Sequence, residues 1–392
     1  MENEKVAILS VLKPVDDIRA YQKIAKSITS NSKNVTLIGF EASSNSNKKN
    51  SDININFIEL FTSKKNKNRL GLWRFFAGFK VFDQLLRLKP TTIIVCAVEI
   101  LPFTLLFKLL FSSKLNAIKL VYDVQENYAF NILYQDNYPP FLKKILAFLV
   151  RSFEKLSSSF IDLYLLAERF YLEEMPFLEK TNYVFLENKF LVDDLIYTNS
   201  TSSDYLKTKE IKFIIYGSFS KTYGTLEGIL FFKQLEKELE KEGFSATLLL
   251  AGYCLDKEYS EKIQEVTKDT NSIILLNQTI DKSIAHKILL QKLQKTDFVI
   301  LPYLFNKSTQ NCIPTKFYEC LAYQKPMFIS KNSLWQSFIN PLNAGLFIDF
   351  DRLVVENEIQ NSVKKILLQP FYTKPINEEV WRFDREILRK VI

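Results

Sequence analysis

Pro314-Thr-Lys-Phe-Tyr-Glu-Cys-Leu-Ala-Tyr-Gln-Lys-Pro326 is the stretch from which the rest of this chain is read. Just before it, Phe298-Val-Ile-Leu-Pro-Tyr303 reads as a buried strand and its end, followed by a polar loop through Gln310 and Asn311. Pro314 then suits the first turn of a helix, where a missing N–H is no loss. The first turn of such a helix has free backbone N–H groups and the positive end of the dipole. Together they form a site for a diphosphate, to which Lys316 adds charge. Glu319 lies one turn further in, and its carboxylate can accept two hydrogen bonds from a ribose diol without a metal. Taken without a ligand, the same residues are a capped helix with a surface lysine and a surface acid.

On either side, strand-like apolar runs alternate with helix-length amphipathic stretches. The runs are residues 6–12, 35–40, 92–98 and 119–123, then 213–217, 246–252, 272–276, 298–302 and 327–330. Between the two sets lies the polar stretch Thr198-Asn-Ser-Thr-Ser-Ser-Asp204, which reads as an interdomain linker spanning 198–210. Repeated βαβ units predict an α/β protein of two Rossmann-like, doubly wound domains, 1–197 and from 211 on, facing across a cleft. Ligands of such sheets bind beyond the carboxyl ends of the strands, so the active site is expected in that cleft.

Composition fits two folded domains: 392 residues, 47% hydrophobic, 14% aromatic and 24% charged. The four cysteines, at 96, 254, 312 and 320, have no paired CxxC spacing for a metal or a redox couple, and a reducing cytosol suits them best. The start, Met-Glu-Asn-Glu-Lys, lacks the basic opening and cleavage site of a signal peptide, so a cytoplasmic location is expected. The longest apolar run, residues 101–111, is interrupted by Lys108 and falls well short of the roughly 20 residues that span a bilayer.

The 314–326 segment resembles the Pro-x-Lys-x-x-Glu-Tyr-Met-Ala-x-Gly-x-Pro segment of family 4 glycosyltransferases of the GT-B fold. Shorter pieces follow in that family's order. Asp17-Ile-Arg19 resembles its opening loop, Glu99-Ile-Leu-Pro102 its Glu-Leu-Leu-Pro, and Tyr122-Asp-Val-Gln-Glu126 its Tyr-Asp-x-His-Glu. Tyr216-Gly-Ser-Phe-Ser-Lys-Thr-Tyr-Gly224 resembles the loop that opens the carboxyl-terminal domain. The resemblance implies a nucleotide-sugar domain over 211–374 and a last segment, 375–392, opening with Asn377-Glu-Glu-Val-Trp-Arg-Phe-Asp384, that crosses back to the first domain.

Three departures bear on the chemistry. Where the family holds the donor diphosphate with an Arg and a Lys, this chain has Ser218 and Tyr223, leaving Lys221 or Lys316 to supply the cation. Gly217 and Gly224 remain where backbone must approach a ligand closely. Of the family's two glutamates eight positions apart, the first is Asn311, which can still bond a sugar hydroxyl, and the second is Glu319. Gln125 takes the place of the family's histidine, and the only histidine of the chain, His286, reads as an ordinary helix-face residue within 282–293. Histidine-rich metal sites and His–Asp dyads are excluded on that count.

The resemblance implies a retaining transfer without a protein nucleophile, in which positioning and charge stabilisation carry the reaction. It gives Gln125 the donor sugar, Asp123, Glu126 or Glu99 the acceptor side, Lys221, Lys316 and the helix amides the leaving diphosphate, and Thr315, Asn311, Glu319, Gly217 and Ser218 places in the donor site, with no metal or other cofactor. The net charge of +8 gathers at Lys64, Lys65, Lys67, Arg69, Arg74, Lys80, Arg87 and Lys89, interleaved with Trp73, Phe75, Phe76, Phe79 and Phe82. Residues 139–151 repeat the mixture. Such segments suit an anionic membrane surface, and no nucleic-acid module motif competes for them. The expected partners are therefore a nucleotide-sugar, a saccharide or lipid-linked acceptor and the inner face of the cell membrane. A catalytically silent GT-B partner of an active transferase is the alternative; nucleotide-sugar epimerisation is weaker, because it asks for acid-base side chains that a histidine-poor site lacks.

Overall fold

The computed structural model describes residues 4–30, 33–42, 54–62, 73–134, 139–194, 204–268, 270–277, 284–305, 307, 309–350 and 356–392. Within them the chain divides into two compact units, Met1–Asn188 with Phe383–Ile392, and Lys189–Arg382. Each is built on one parallel sheet.

The first sheet has seven strands: β1 (Glu4–Pro14), β2 (Lys33–Phe40), β3 (Ile55–Phe61), β4 (Thr92–Val95), β5 (Lys119–Val124), β6 (Leu163–Leu166) and β7 (Tyr183–Phe185). Their order is β3-β2-β1-β4-β5-β6-β7, so the strand order reverses between β1 and β4. The second has six: β8 (Glu210–Phe219), β9 (Ser245–Cys254), β10 (Ile273–Leu275), β11 (Phe298–Leu301), β12 (Met327–Ser330) and β13 (Gly345–Ile348), in the order β10-β9-β8-β11-β12-β13, reversing between β8 and β11. Both are doubly wound. Strands covered by helices on both faces carry continuous apolar runs, and Val6-Ala-Ile-Leu9, Ile93-Ile-Val95 and Val299-Ile-Leu301 are each essentially solvent-free.

The runs legible in the sequence are the central strands. The unread strands β3, β6, β7 and β13 are edge or outer strands, three of them only three or four residues long. β7 is half-buried throughout and β13 alternates between half-buried and buried, so neither carries a continuous buried run; β6, Leu163-Tyr-Leu-Leu166, is buried throughout. The run 92–98 is strand only to Val95; Val98–Ile100 turns into a short helix that leads into helix Leu101–Phe111, with Pro102 in its first turn.

The passage between units also differs in place from the sequence reading. Residues 195–203, which hold most of the polar stretch, lie outside the described residues, but Asp204–Thr208 is helical and β8 begins at Glu210. The second unit already starts at Lys189, because the Phe190 N–H donates to the Trp381 carbonyl (2.7 Å) and the Phe190 ring packs on Tyr323 and Trp381. The closing helix is two helices. Asn377 caps Glu378–Trp381, which stays in the second unit, and Asp384 caps Arg385–Val391, which belongs to the first. There Arg389 Nε donates to the Ser27 carbonyl (3.1 Å) and Lys33 Nζ to that of Ile392 (2.8 Å).

Candidate functional site

In the second unit, the carboxyl end of β8 brings Tyr216, Gly217 and Ser218 to the switch point, and Tyr303 follows the end of β11 beside it. Helix Thr315–Ala322 begins after the next loop. Pro314 occupies its cap without a side-chain hydrogen bond, so no side chain serves the N–H groups of the first turn from there. Thr315 is exposed, Asn311 half-buried in the preceding turn, and Lys316 and Glu319 lie three residues apart on one helix face.

Glu319 is buried, and both of its oxygens are engaged. The Tyr216 hydroxyl donates to Oε2 at 2.7 Å, and His286 Nε2 lies 2.9 Å from Oε1. Burial pushes this carboxyl up, but the His286 contact, the Tyr216 hydroxyl and the charge of Lys316 together outweigh it and hold it below the ordinary glutamate range. The sequence treated His286 as an ordinary helix-face residue; here it is the first residue of helix His286–Gln294 and faces Glu319. Of the expected helix over 282–293, residues 282 and 283 lie outside the described set, Ile284 and Ala285 are not helical, and the helix runs from His286.

Lys316 stands over three tyrosine rings, its Nζ 5.2 Å from the centroid of Tyr216 and 5.6 Å from those of Tyr223 and Tyr303. The Tyr223 and Tyr303 rings meet edge to face at 5.6 Å. Tyr223 thus walls Lys316. Loss of hydration lowers the Lys316 pKa to about 8, and the Glu319 charge only partly offsets this. Room for the side chain comes from Gly217, whose φ of 94° favours glycine and whose Cβ, if present, would sit 2.9 Å from Lys316 Cε. Gly224, at φ 61°, ends the Ser220–Gly224 turn against Pro302, where a Cβ would come within 1.7 Å of the Pro302 carbonyl oxygen. Lys221 is exposed in that turn, and Ser218 is half-buried at the strand end.

In the first unit, the carboxyl ends of β1 and β5 assemble a polar chain. Arg19, in the first turn after the Asp17 cap, donates Nε to both oxygens of Asp123 (3.1 and 3.0 Å) and Nη2 to Oδ1 (2.6 Å). Its Nη1 donates to the Leu186 carbonyl (2.8 Å) and to Asn188 Oδ1 (2.7 Å). Asp123 is 0% exposed, so it contacts Arg19 and Gln125 and has no surface to offer a ligand. Gln125 donates Nε2 to Asp123 Oδ2 (2.6 Å) and accepts at Oε1 from Lys13 Nζ. Lys13, half-buried at the end of β1, was missed in the sequence because 112 residues separate it from Gln125.

Glu126 is exposed and accepts from Asn131 Nδ2 (2.6 Å), and Glu99 is half-buried in the short helix Val98–Ile100. Arg151, counted among the surface charges of 139–151, is turned inward to Glu154 (3.2 Å) and Asn127. Among the described residues, no group of three or more His, Cys, Asp or Glu could hold a metal ion.

No family model matches the chain, and no curated protein matches it in sequence. Its fold does have solved counterparts. Sucrose-phosphate synthase from Thermosynechococcus elongatus is 12% identical with a TM-score of 0.61, covering 99% of this chain and 93% of that one. HepE from Anabaena, in complex with UDP and glucose, is 13% identical with a TM-score of 0.61, covering 99% and 97%. The UDP-forming α,α-trehalose-phosphate synthase of Burkholderia xenovorans is 9% identical with a TM-score of 0.60, covering 94% and 93%. Identities this low establish a likeness of fold alone, and the two parallel, doubly wound sheets of this chain have the GT-B fold.

Proposed function

We propose that this protein is a retaining glycosyltransferase that takes a sugar from a UDP- or GDP-linked donor to a surface-polysaccharide or glycolipid precursor. The observation that carries the reading is the pairing of Lys316 and Glu319 on a helix starting at the switch point of the second sheet. A cation, the positive start of a helix whose cap residue Pro314 offers it no side chain, and a fixed carboxylate there suit the diphosphate and the ribose of one nucleotide. In this reading Thr315, Lys221, Gly217 and Ser218 line the diphosphate, and Asn311 bonds the sugar. Structures of similar fold bind UDP, as HepE does, or are named for forming it.

In the first unit the proposal gives Gln125 a supporting role towards the sugar. Both its polar groups are already held, by Lys13 and Asp123, so the amide is fixed in orientation and the ammonium of Lys13 is the charge beside it. Asp123 acts through Arg19 and Gln125, and Glu126 or Glu99 serves the acceptor. The departing phosphate oxygen takes the acceptor proton, and the chemistry asks the protein for placement and charge.

The same proposal sets the reaction at the inner face of the cell membrane. Among the described residues no helix is long and apolar enough to cross a bilayer. Phe76 and Phe79 on helix Trp73–Leu88, Leu109 and Leu110 on helix Leu101–Phe111, and Phe141 and Phe148 on helix Pro140–Ser157 are all more than 60% exposed. The first two helices pack through Phe79 on Phe103 (4.9 Å), so their apolar residues adjoin. Lys80 and Lys144 are exposed beside these residues on their own helices, and Lys89 is exposed just past the end of the first. Lys64, Lys65, Lys67, Arg69 and the side chain of Arg74, which the sequence reading also enlisted, lie outside the described residues.

A second reading, a silent binding partner, is favoured by the engagement of Gln125 at both ends and by Ser218 and Tyr223 in place of donor-binding cations. A panel of UDP- and GDP-sugars assayed by thermal stabilisation and by donor hydrolysis separates the two. Stabilisation with slow hydrolysis, both lost in Glu319→Ala, supports the transferase; stabilisation with no turnover under any acceptor supports the silent partner. If no nucleotide-sugar stabilises the protein, both readings of the site are wrong.

A further inference from the structure

We propose that His286 is a positioning residue for ribose recognition, holding the Glu319 carboxylate through Nε2 so that its remaining lone pairs meet the two ribose hydroxyls of a nucleotide. The inference rests on the reading of Glu319 as the ribose group and goes beyond it, since nothing in the motif around Glu319 points to residue 286.

A carboxylate has about four lone-pair sites, and among the described residues two are used, one on each oxygen. The holders come from different elements, Tyr216 from β8 and His286 from the start of helix His286–Gln294, while Glu319 itself sits on a third. Anchoring both oxygens fixes the plane of the group, and one acceptor site on each oxygen is left for a vicinal diol. The side chains of Glu319 and His286 are 8% and 31% exposed, so the carboxylate is set inward and the imidazole forms its rim. Among the described residues, the titratable neighbours of the pair include Tyr216 on β8, Tyr303 after β11, and Lys316 and Cys320 on the glutamate's own helix. No other histidine exists in the chain, so the imidazole can be followed without ambiguity.

The test compares the nucleoside diphosphate that the wild type binds, UDP or GDP, with its 2′,3′-dideoxy analogue, by calorimetry. Removing a charge-assisted hydrogen bond from a buried carboxylate should weaken the parent nucleotide by roughly tenfold or more in His286→Ala. The dideoxy analogue, which offers Glu319 nothing, should bind that variant within about twofold of wild type. His286→Gln, whose amide nitrogen can stand where Nε2 stands, should recover most of the affinity. Equal losses on both ligands, or no loss on either, overturn the proposal. Should His286→Ala not fold, the single imidazole resonance of the wild type serves instead. It should move on adding UDP or GDP and stay put with the dideoxy form, and its titration midpoint should fall in Glu319→Gln; an unchanged midpoint overturns the proposal. A wild type that binds neither nucleotide, or binds the dideoxy form as tightly as its parent, overturns the donor-site reading and this inference with it. Discrimination by the wild type that survives in His286→Ala sinks only the inference.

Discussion

Arg19 holds Asp123 by three hydrogen bonds of 2.6–3.1 Å, with the two residues 5% and 0% exposed. Charges withdrawn from water this far are tolerable only while paired, and removing one partner strands the other. Asp123→Ala should therefore lower stability by about 3–5 kcal/mol, read as a fall in the urea midpoint at unchanged slope. Gln125→Glu should also destabilise, because it replaces the amide N–H 2.6 Å from Asp123 Oδ2 with a second acidic oxygen. A stability near wild type in both variants would show that the pair is not sealed from solvent.

Lys316 gives donor binding a pH dependence. With a pKa of about 8 in the free protein, the ammonium is present below that pH and fades above it. A diphosphate selects the charged form and raises the pKa, so affinity for UDP or GDP is full below pH 8. Above it, affinity drops by up to about tenfold per pH unit until the pKa of the complex is reached. Binding near pH 8.5 should take up a proton, visible as a dependence of the calorimetric enthalpy on buffer ionisation. Lys316→Arg, charged throughout, should abolish the pH dependence; an unchanged slope there would assign it to another group. The sign for folding is opposite: the folded pKa lies below the unfolded 10.5, so this lysine's unfavourable contribution is relieved as pH rises from 8 towards 10.5.

Gly217 joins a positive φ to a space that Lys316 fills. In Gly217→Ala the new methyl meets Lys316 Cε at 2.9 Å and the backbone must hold a conformation costing about 1–3 kcal/mol. Reduced thermal stability and weaker UDP or GDP binding should appear together. A variant that loses stability but keeps its affinity would mean that the lysine has another place to go.

Membrane contact can be tested through three phenylalanines on two helices. Phe79, Phe141 and Phe148 are 61%, 79% and 70% exposed. Each Phe→Ser change should reduce partition onto phosphatidylglycerol-containing vesicles by about tenfold if the ring inserts. Binding should weaken with salt, as the charge-driven part is screened. Flotation assays in which wild type stays with the soluble fraction on anionic vesicles would remove the membrane from the proposal.

The fold was legible for a simple reason. Parallel strands covered on both faces must be continuous apolar runs, so β1, β2, β4 and β5, and then β8, β9, β11 and β12, announce themselves locally. β7 and β13 are only partly buried and β3 alternates weakly, so none of the three carries a continuous buried run, whereas β6, four buried apolar residues, is as long as β4, β11 and β12 and carries the same signal unread. The site was legible only as far as local spacing reaches. Lys316 and Glu319 share a face because three residues of helix bring them round.

Which residues surround them is another matter. Tyr216 lies 103 positions from Glu319 and His286 lies 33, yet both reach its carboxylate; Lys13 and Arg19 lie more than a hundred positions from the Gln125 and Asp123 they hold. By itself the sequence determined two doubly wound sheets and a helix whose start carries a cation and an acid, because periodicity and helix geometry act between neighbours in the chain. Only the tertiary structure decided what holds each charge. Hydrogen bonds and desolvation depend on distance in space, and only the crossing of β1 to β5, and of β8 to the helices beyond β10 and β11, sets those distances.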